Sequence, residues 1–221
     1  MKTLLTNAVA LLLIAGLSGA VCTDAQAQQN PPEGEGWVSL FDGESLDGWR
    51  ASENEETFSV DDGRIVADGP RSHLFYVGSV ADHTFDDFEL RVDVMATPGS
   101  NSGLYFHTEY QEEGWPSQGY EAQINNSYES DPRKTGSLYA VEDVNASPVD
   151  DNEWFTMAVR VEGDQIEITV DGETTAQYTE PDDPEREGME GRVLSSGTIA
   201  LQGHDPESTV YFKNIYVRPL D

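Results

Sequence analysis

Positive charge is the first thing this chain lacks. Its 221 residues hold 12 Lys and Arg against 42 Asp and Glu, a formal net charge of −30, and only Lys2, Lys134 and Lys213 are lysines. Phosphate binding needs a basic footprint, so nucleic acid is not expected as a partner and anionic membrane is a poor one. Cysteine is nearly absent. Cys22 stands alone, which excludes a disulfide scaffold and leaves the fold to its apolar core. No second apolar run follows the first twenty residues, so no transmembrane segment is expected. Helical periodicity is equally hard to find beyond that point, which argues against a bundle.

The acids are spread along the chain, with small clusters at Glu53-Asn54-Glu55-Glu56 and Asp182-Asp183-Pro184-Glu185. They read as a solvated shell. Such self-repulsion is tolerable where salt screens it, since the Debye length falls to about 3 Å at 1 M. A halophilic, saline habitat is the resulting expectation, with a bland acidic surface or scattered calcium sites as its alternatives.

Residues 1–27 read as an export signal. Lys2 supplies a positive start, Ala8 to Leu17 an apolar stretch too short to span a bilayer, and Ala25-Gln26-Ala27 a small-x-small cleavage site. Residues 28–35 are then a linker and 36–221 a single domain, secreted or periplasmic. Lipid anchoring through Cys22 is the alternative, but Val21 is large for the position before such a cut.

What the chain does contain is short runs of Val, Ile, Phe, Tyr and Thr separated by Gly, Asp, Asn and Pro. Ten of them read as strands: residues 37–41, 64–67, 88–95, 102–108, 120–125, 154–162, 165–170, 174–178, 197–201 and 210–217. Asp62-Gly63, Asp171-Gly172 and Gly163-Asp164 are hairpin pairs between such runs. The fold class is therefore all-β, a two-sheet jelly-roll sandwich. Residues 109–118, with Trp115-Pro116, form a rim loop. Residues 126–151 form a second long loop, and both flank the strand 120–125, so both are expected to be functional. The acidic segment 180–195 reads as surface loop.

In the strand Tyr120-Glu121-Ala122-Gln123-Ile124-Asn125 the alternation puts Glu121, Gln123 and Asn125 on one face and Tyr120, Ala122 and Ile124 on the other. A carboxylate and two amides fit the floor of a polar groove; an ordinary solvated sheet face would show the same alternation.

Five stretches in order carry a resemblance: Leu40-Phe41-Asp42-Gly43-Glu44-Ser45-Leu46-Asp47-Gly48-Trp49, Asn101-Ser102-Gly103-Leu104-Tyr105-Phe106, Gly119 to Ile124, Thr135-Gly136-Ser137-Leu138-Tyr139, and Gly197 to His204 with Val210 to Ile215. Residues 36–220 resemble the 3-keto-disaccharide hydrolase domain, formerly a domain of unknown function. The resemblance implies a concanavalin A-like fold and export from a bacterial cell. It also implies action on 3-keto-glycosides, oligosaccharides already oxidised at C3. The family often carries Arg where His107 stands and Asn where Phe155 stands, so a substrate contact at 107 is in doubt.

A C3 ketone acidifies the C2 proton. Its removal gives an enolate that expels the C1 oxygen, and water then adds back. Such a site needs a base near C2, donors at the C3 oxygen and an acid for the leaving oxygen. Glu121 and His204 are the catalytic candidates, the imidazole because it titrates near neutrality. Tyr105, His107, Gln123, Lys134, Tyr139 and Gln202 are the substrate-binding candidates. Gly103, on the face of Tyr105 and His107, leaves room for a sugar ring, and Lys134 or Tyr139 would polarise the ketone. A salt bridge to Arg133 or Lys134 is the structural alternative for Glu121, and a surface position that for His204. No cofactor is certain: Glu121 and His204 are ligand types for a divalent metal, but no ligand spacing accompanies them. His73 and His83 are assigned no role.

Two rivals remain on sequence grounds. A non-catalytic, lectin-like module shares the fold and would use exposed aromatics such as Trp115 and Tyr110. A β-glucanase would need two or three acids at alternate strand positions, where this chain has Gln123 and Asn125 after Glu121.

Overall fold

A computed structural model describes residues 31–186 and 188–220. The expected export signal and Cys22 lie outside the described residues. In chain order the strands are β1 (Val38–Ser39), β2 (Trp49–Ala51), β3 (Phe58–Asp61), β4 (Arg64–Asp68), β5 (Ser72–Tyr76), β6 (Phe88–Ala96) and β7 (Ser102–Thr108). They continue with β8 (Tyr120–Ile124), β9 (Phe155–Glu162), β10 (Gln165–Val170), β11 (Glu173–Thr179), β12 (Thr198–Gly203) and β13 (Thr209–Pro219). Among the described residues, helix is confined to two 3-10 turns, Glu55–Thr57 and Val80–His83, and no helix is long and apolar enough to cross a membrane.

All strand pairs are antiparallel and form two sheets. The larger runs β11-β10-β9-β6-β13-β4-β3, with β1 also on β13; the smaller runs β2-β5-β12-β7-β8. This is the expected jelly-roll sandwich. The turns were legible in sequence. Asp62-Gly63 and Asp171-Gly172 both adopt positive φ at each position (49° and 75°, 50° and 83°), the two-residue turn whose twist matches that of the strands it joins.

The two sheets differ in what lies behind them. In β6, Phe88, Leu90, Val92, Val94 and Ala96 enter the core and the residues between them face outward, the pattern of a sheet wet on one side. In β7, β8 and β12 every residue is buried. Leu104, Phe106, Tyr120, Ala122, Ile124, Ile199 and Leu201 belong to the core between the sheets, while Phe75, Tyr105 and Ala200 form a second cluster with Tyr110 on the opposite face. Loops 109–118, 126–151 and 188–195 cover that face as a third layer. Part of the second loop lies along β8 like a further strand, with Gln123 N–H on Ser137 O at 3.0 Å and Tyr139 N–H on Glu121 O at 3.0 Å.

Candidate functional site

Between the small sheet and its covering loops lies a cavity of about 500 Å³, lined from β7, β8 and β12 by Tyr105, Glu121, Gln123 and Gln202 and from the loops by Trp115, Asp131, Tyr139 and Arg192, with His204 just past β12. Strand alternation gives β8 its two faces: Tyr120 and Ile124 enter the core, and Glu121 and Gln123 enter the cavity.

Glu121 sits on the floor, 4 % exposed. Tyr105 Oη donates to its Oε2 at 2.8 Å and Gln202 Nε2 to its Oε1 at 3.3 Å. With its amide nitrogen turned to the carboxylate, Gln123 donates to Oε1 at 3.1 Å. Arg192 Nη2 stands 3.9 Å from Oε2. Burial pushes the Glu121 carboxyl up to about 7, against the opposing pull of Arg192, Tyr105 and Gln202. A carboxyl near 7 can take or give a proton at neutral pH. The same burial, together with the Glu121 charge, raises the Tyr105 phenol well above its ordinary value, so it remains a donor.

His204, the other catalytic candidate, is paired with a carboxylate. Its Nδ1 meets Asp205 Oδ2 at 2.6 Å, and its ring lies between Trp115 and Tyr128, at 5.2 and 5.5 Å between centroids. Asp205 also accepts from Glu207 N–H and Ser208 Oγ. Burial would raise the Asp205 carboxyl, but these donors and the imidazole outweigh it and hold it below the usual range. An ionised carboxylate on Nδ1 fixes the imidazole ring and leaves Nε2 for the cavity.

The model of the 3-keto-alpha-glucoside-1,2-lyase-like domain matches residues 36–218. The chain belongs to this family. A 3-keto-disaccharide hydrolase of Bacteroides thetaiotaomicron is 27% identical over 107 residues, which is 45% of this chain and 36% of that protein, so the match spans little more than a third of the relative's length. A candidate glycosyl hydrolase from Parabacteroides distasonis superposes with a TM-score of 0.71 at 26% identity, covering 85% of this chain and 95% of that one. A Bacillus subtilis protein of unknown function with a galectin-like fold gives 0.58 at 13% identity over 78% of this chain and 90% of that one, a likeness of fold alone.

Three residues expected in the cavity of this family member lie elsewhere. His107 is an inserted residue in β7: Phe106 pairs with Ile199 and Thr108 with Thr198, and His107 takes φ 55° between them. The bulge turns its ring onto Phe88 and Phe106, with Nε2 on Asp86 O at 2.8 Å and Nδ1 accepting from Ser195 N–H at 3.2 Å. Burial depresses its pKa, and the neutral ring pins the loop that carries Arg192. Lys134 also leaves the cavity. Its Nζ donates to Tyr128 O at 2.6 Å, Asp131 O at 3.2 Å and Asn125 Oδ1 at 3.3 Å, which closes the turn presenting Asp131. Asn125, expected on the groove face, binds the same turn through Asp131 O and Arg133 O.

The partner of Glu121 is Arg192 rather than Arg133 or Lys134. It comes from the segment read as plain surface loop, and no local pattern marks it. Gly103 clears space for the Glu121 carboxylate itself, because a Cβ there would stand 2.5 Å from Oε1. Asp131, also unforeseen, lines the cavity as a second carboxylate, held by Tyr139 Oη at 3.1 Å and Arg133 N–H at 2.9 Å. Among the described residues no three His, Cys, Asp or Glu side chains are grouped to hold a metal ion.

Proposed function

We propose that this family member is an exported enzyme that cleaves 3-keto-glycosides by elimination and rehydration. The observation that carries the proposal is the buried Glu121, titrating at about 7, in one cavity with the His204–Asp205 pair. The Glu121 carboxylate takes the C2 proton, and the electron pair moves onto the C3 oxygen. Arg192, the cation nearest the floor, stabilises this enolate. Collapse of the enolate restores the ketone, forms the C1–C2 double bond and breaks the C1–O bond, with protonated His204 giving its proton to the leaving oxygen. Water then adds to C1 as His204 takes its proton, and Glu121 returns a proton to C2. One water is consumed and both groups regain their starting states. Gln202 Oε1, buried and without a hydrogen-bond partner among the described residues, offers an acceptor for a sugar hydroxyl.

A lectin-like module has Trp115, 44 % exposed at the rim, in its favour, but binding alone does not call for a buried carboxyl held near neutrality. Asp131 brings back the two-carboxylate glycosidase. Its oxygens, however, are engaged by Tyr139 and Arg133, an arrangement suited to shaping a wall.

A 3-keto substrate deuterated at C2 separates the three readings. The enolate route predicts loss or exchange of the label with an isotope effect. Retention of the label while the glycosidic bond still breaks would overturn the mechanism, and release of sugar from unoxidised parents alone would overturn the substrate class.

A further inference from the structure

His73 has no task in the scheme above. It stands opposite Gln202 in the β5–β12 register, so its side chain rises from the cavity face of the small sheet, one strand over. It is fully buried, and neither ring nitrogen has a hydrogen-bond partner among the described residues. Orphaned polar atoms at such depth are destabilising and rare. The packing does not require an imidazole either: its neighbours are the rings of Phe75, Tyr105 and Trp115, which an apolar side chain would meet as well.

Trp115 lies against His73 at 5.5 Å, edge to face, and is itself a cavity wall. Its loop is held from outside. Arg71 lies over the indole at 5.2 Å and forks onto Glu53 at 2.9 and 3.0 Å, and Glu53 Oε1 accepts from Gly114 N–H at 3.1 Å. The Gln111 side chain binds Glu113 O, Trp115 O and Ser117 N–H, so residues 111–117 are tied together as one unit. An exposed ion pair is a weak fastening.

We propose that the Trp115 loop covers a second sugar subsite beside the catalytic cavity, in which His73 hydrogen-bonds neighbouring hydroxyls of the leaving sugar once the indole swings aside. The inference rests on the glycoside-cleaving reading. Burial holds the His73 imidazole neutral, with its pKa lowered to about 3. A neutral ring has one donor and one acceptor, which matches a vicinal diol and offers no charge to an anion. The displaced indole then has a flat face to lay against the sugar.

The test compares 3-keto-trehalose, whose leaving group is a whole sugar, with methyl 3-keto-α-glucoside, whose leaving group is methanol. His73→Leu should raise KM for the disaccharide by roughly 10-fold or more. It should leave the methyl glycoside within about twofold, because the cavity residues are untouched. Its Tm should equal or exceed that of the wild type, and His73→Gln should restore most of the disaccharide affinity. Equal effects on both substrates, or none, would overturn the subsite. The His73 ring signals in wild-type protein, followed by NMR during titration with trehalose and with 3-keto-trehalose, provide a readout that needs no turnover. A shift supports the subsite even if cleavage fails, and signals unmoved by either disaccharide would refute it.

Discussion

Glutamine at position 121 should make the protein more stable above neutrality and change it little in acid. The Glu121 carboxyl titrates near 4.5 in an open chain and at about 7 in the folded one, because burial disfavours its charge more than Arg192, Tyr105 and Gln202 favour it. Between those values the folded state keeps a proton that the unfolded state has released, so stability falls as pH rises through the window. The full loss corresponds to about 3 kcal/mol, of which about 1 kcal/mol is already present at pH 5. Glutamine keeps the shape without the charge, and the Tyr105 hydroxyl can donate to or accept from its amide. In urea unfolding the difference between Glu121→Gln and wild type should therefore grow by about 2–3 kcal/mol from pH 5 to pH 8. In Tm this is roughly 5–10 °C for a domain of this size. Taking the difference between the two proteins removes the titration common to both. Turnover of a 3-keto-glycoside should fall by roughly 10²-fold or more in the same variant. A stability difference that stays constant over the pH range would refute the buried, proton-holding carboxyl, whatever the activity did.

His204→Ala should lower turnover by roughly 10²-fold with little change in Tm, and Asp205→Asn should lower it in the same direction by freeing the ring orientation; a fully active His204→Ala protein would assign the histidine a structural role. Arg192→Met should move the pH midpoint of kcat/KM upward, since the guanidinium opposes the effect of burial on Glu121, and an unmoved midpoint would separate Arg192 from the acid–base step. Gly103→Ala should displace the carboxylate and cost roughly 10²-fold in turnover, the scale of a misplacement by about 1 Å, while far-ultraviolet circular dichroism stays unchanged. A melting temperature that does not rise between low salt and 2 M NaCl or KCl would sink the halophilic reading of the −30 charge.

The fold was largely written in the sequence, because alternation and Asp-Gly turns are local signals. The three strands missing from the sequence reading are β2, only three residues long, β3 and β5. In β5 the run Ser-His-Leu-Phe-Tyr shows no alternation, because both faces of that strand are buried. Glu121, Gln123, Tyr105 and Gln202 reach one cavity because strand parity and order carry them there, His204 follows just past the end of β12, and Tyr139 arrives on the loop segment that runs along β8. His107 escaped because one inserted residue at positive φ reverses parity, and nothing in the letters announces a bulge. Arg192 and Asp131 escaped because their places depend on where long loops land, a tertiary matter.

The loop bearing Trp115 and the loop bearing Arg192 meet at a narrow point. Gly119 N–H donates to Gly191 O at 2.9 Å, and at Gly191 a Cβ would collide with Ser117 O. The loop bearing Trp115 and the loop bearing Arg192 are therefore one inheritable unit. Substitutions in either should show epistasis with the other, and a graft meant to transfer specificity between relatives would have to carry both loops together.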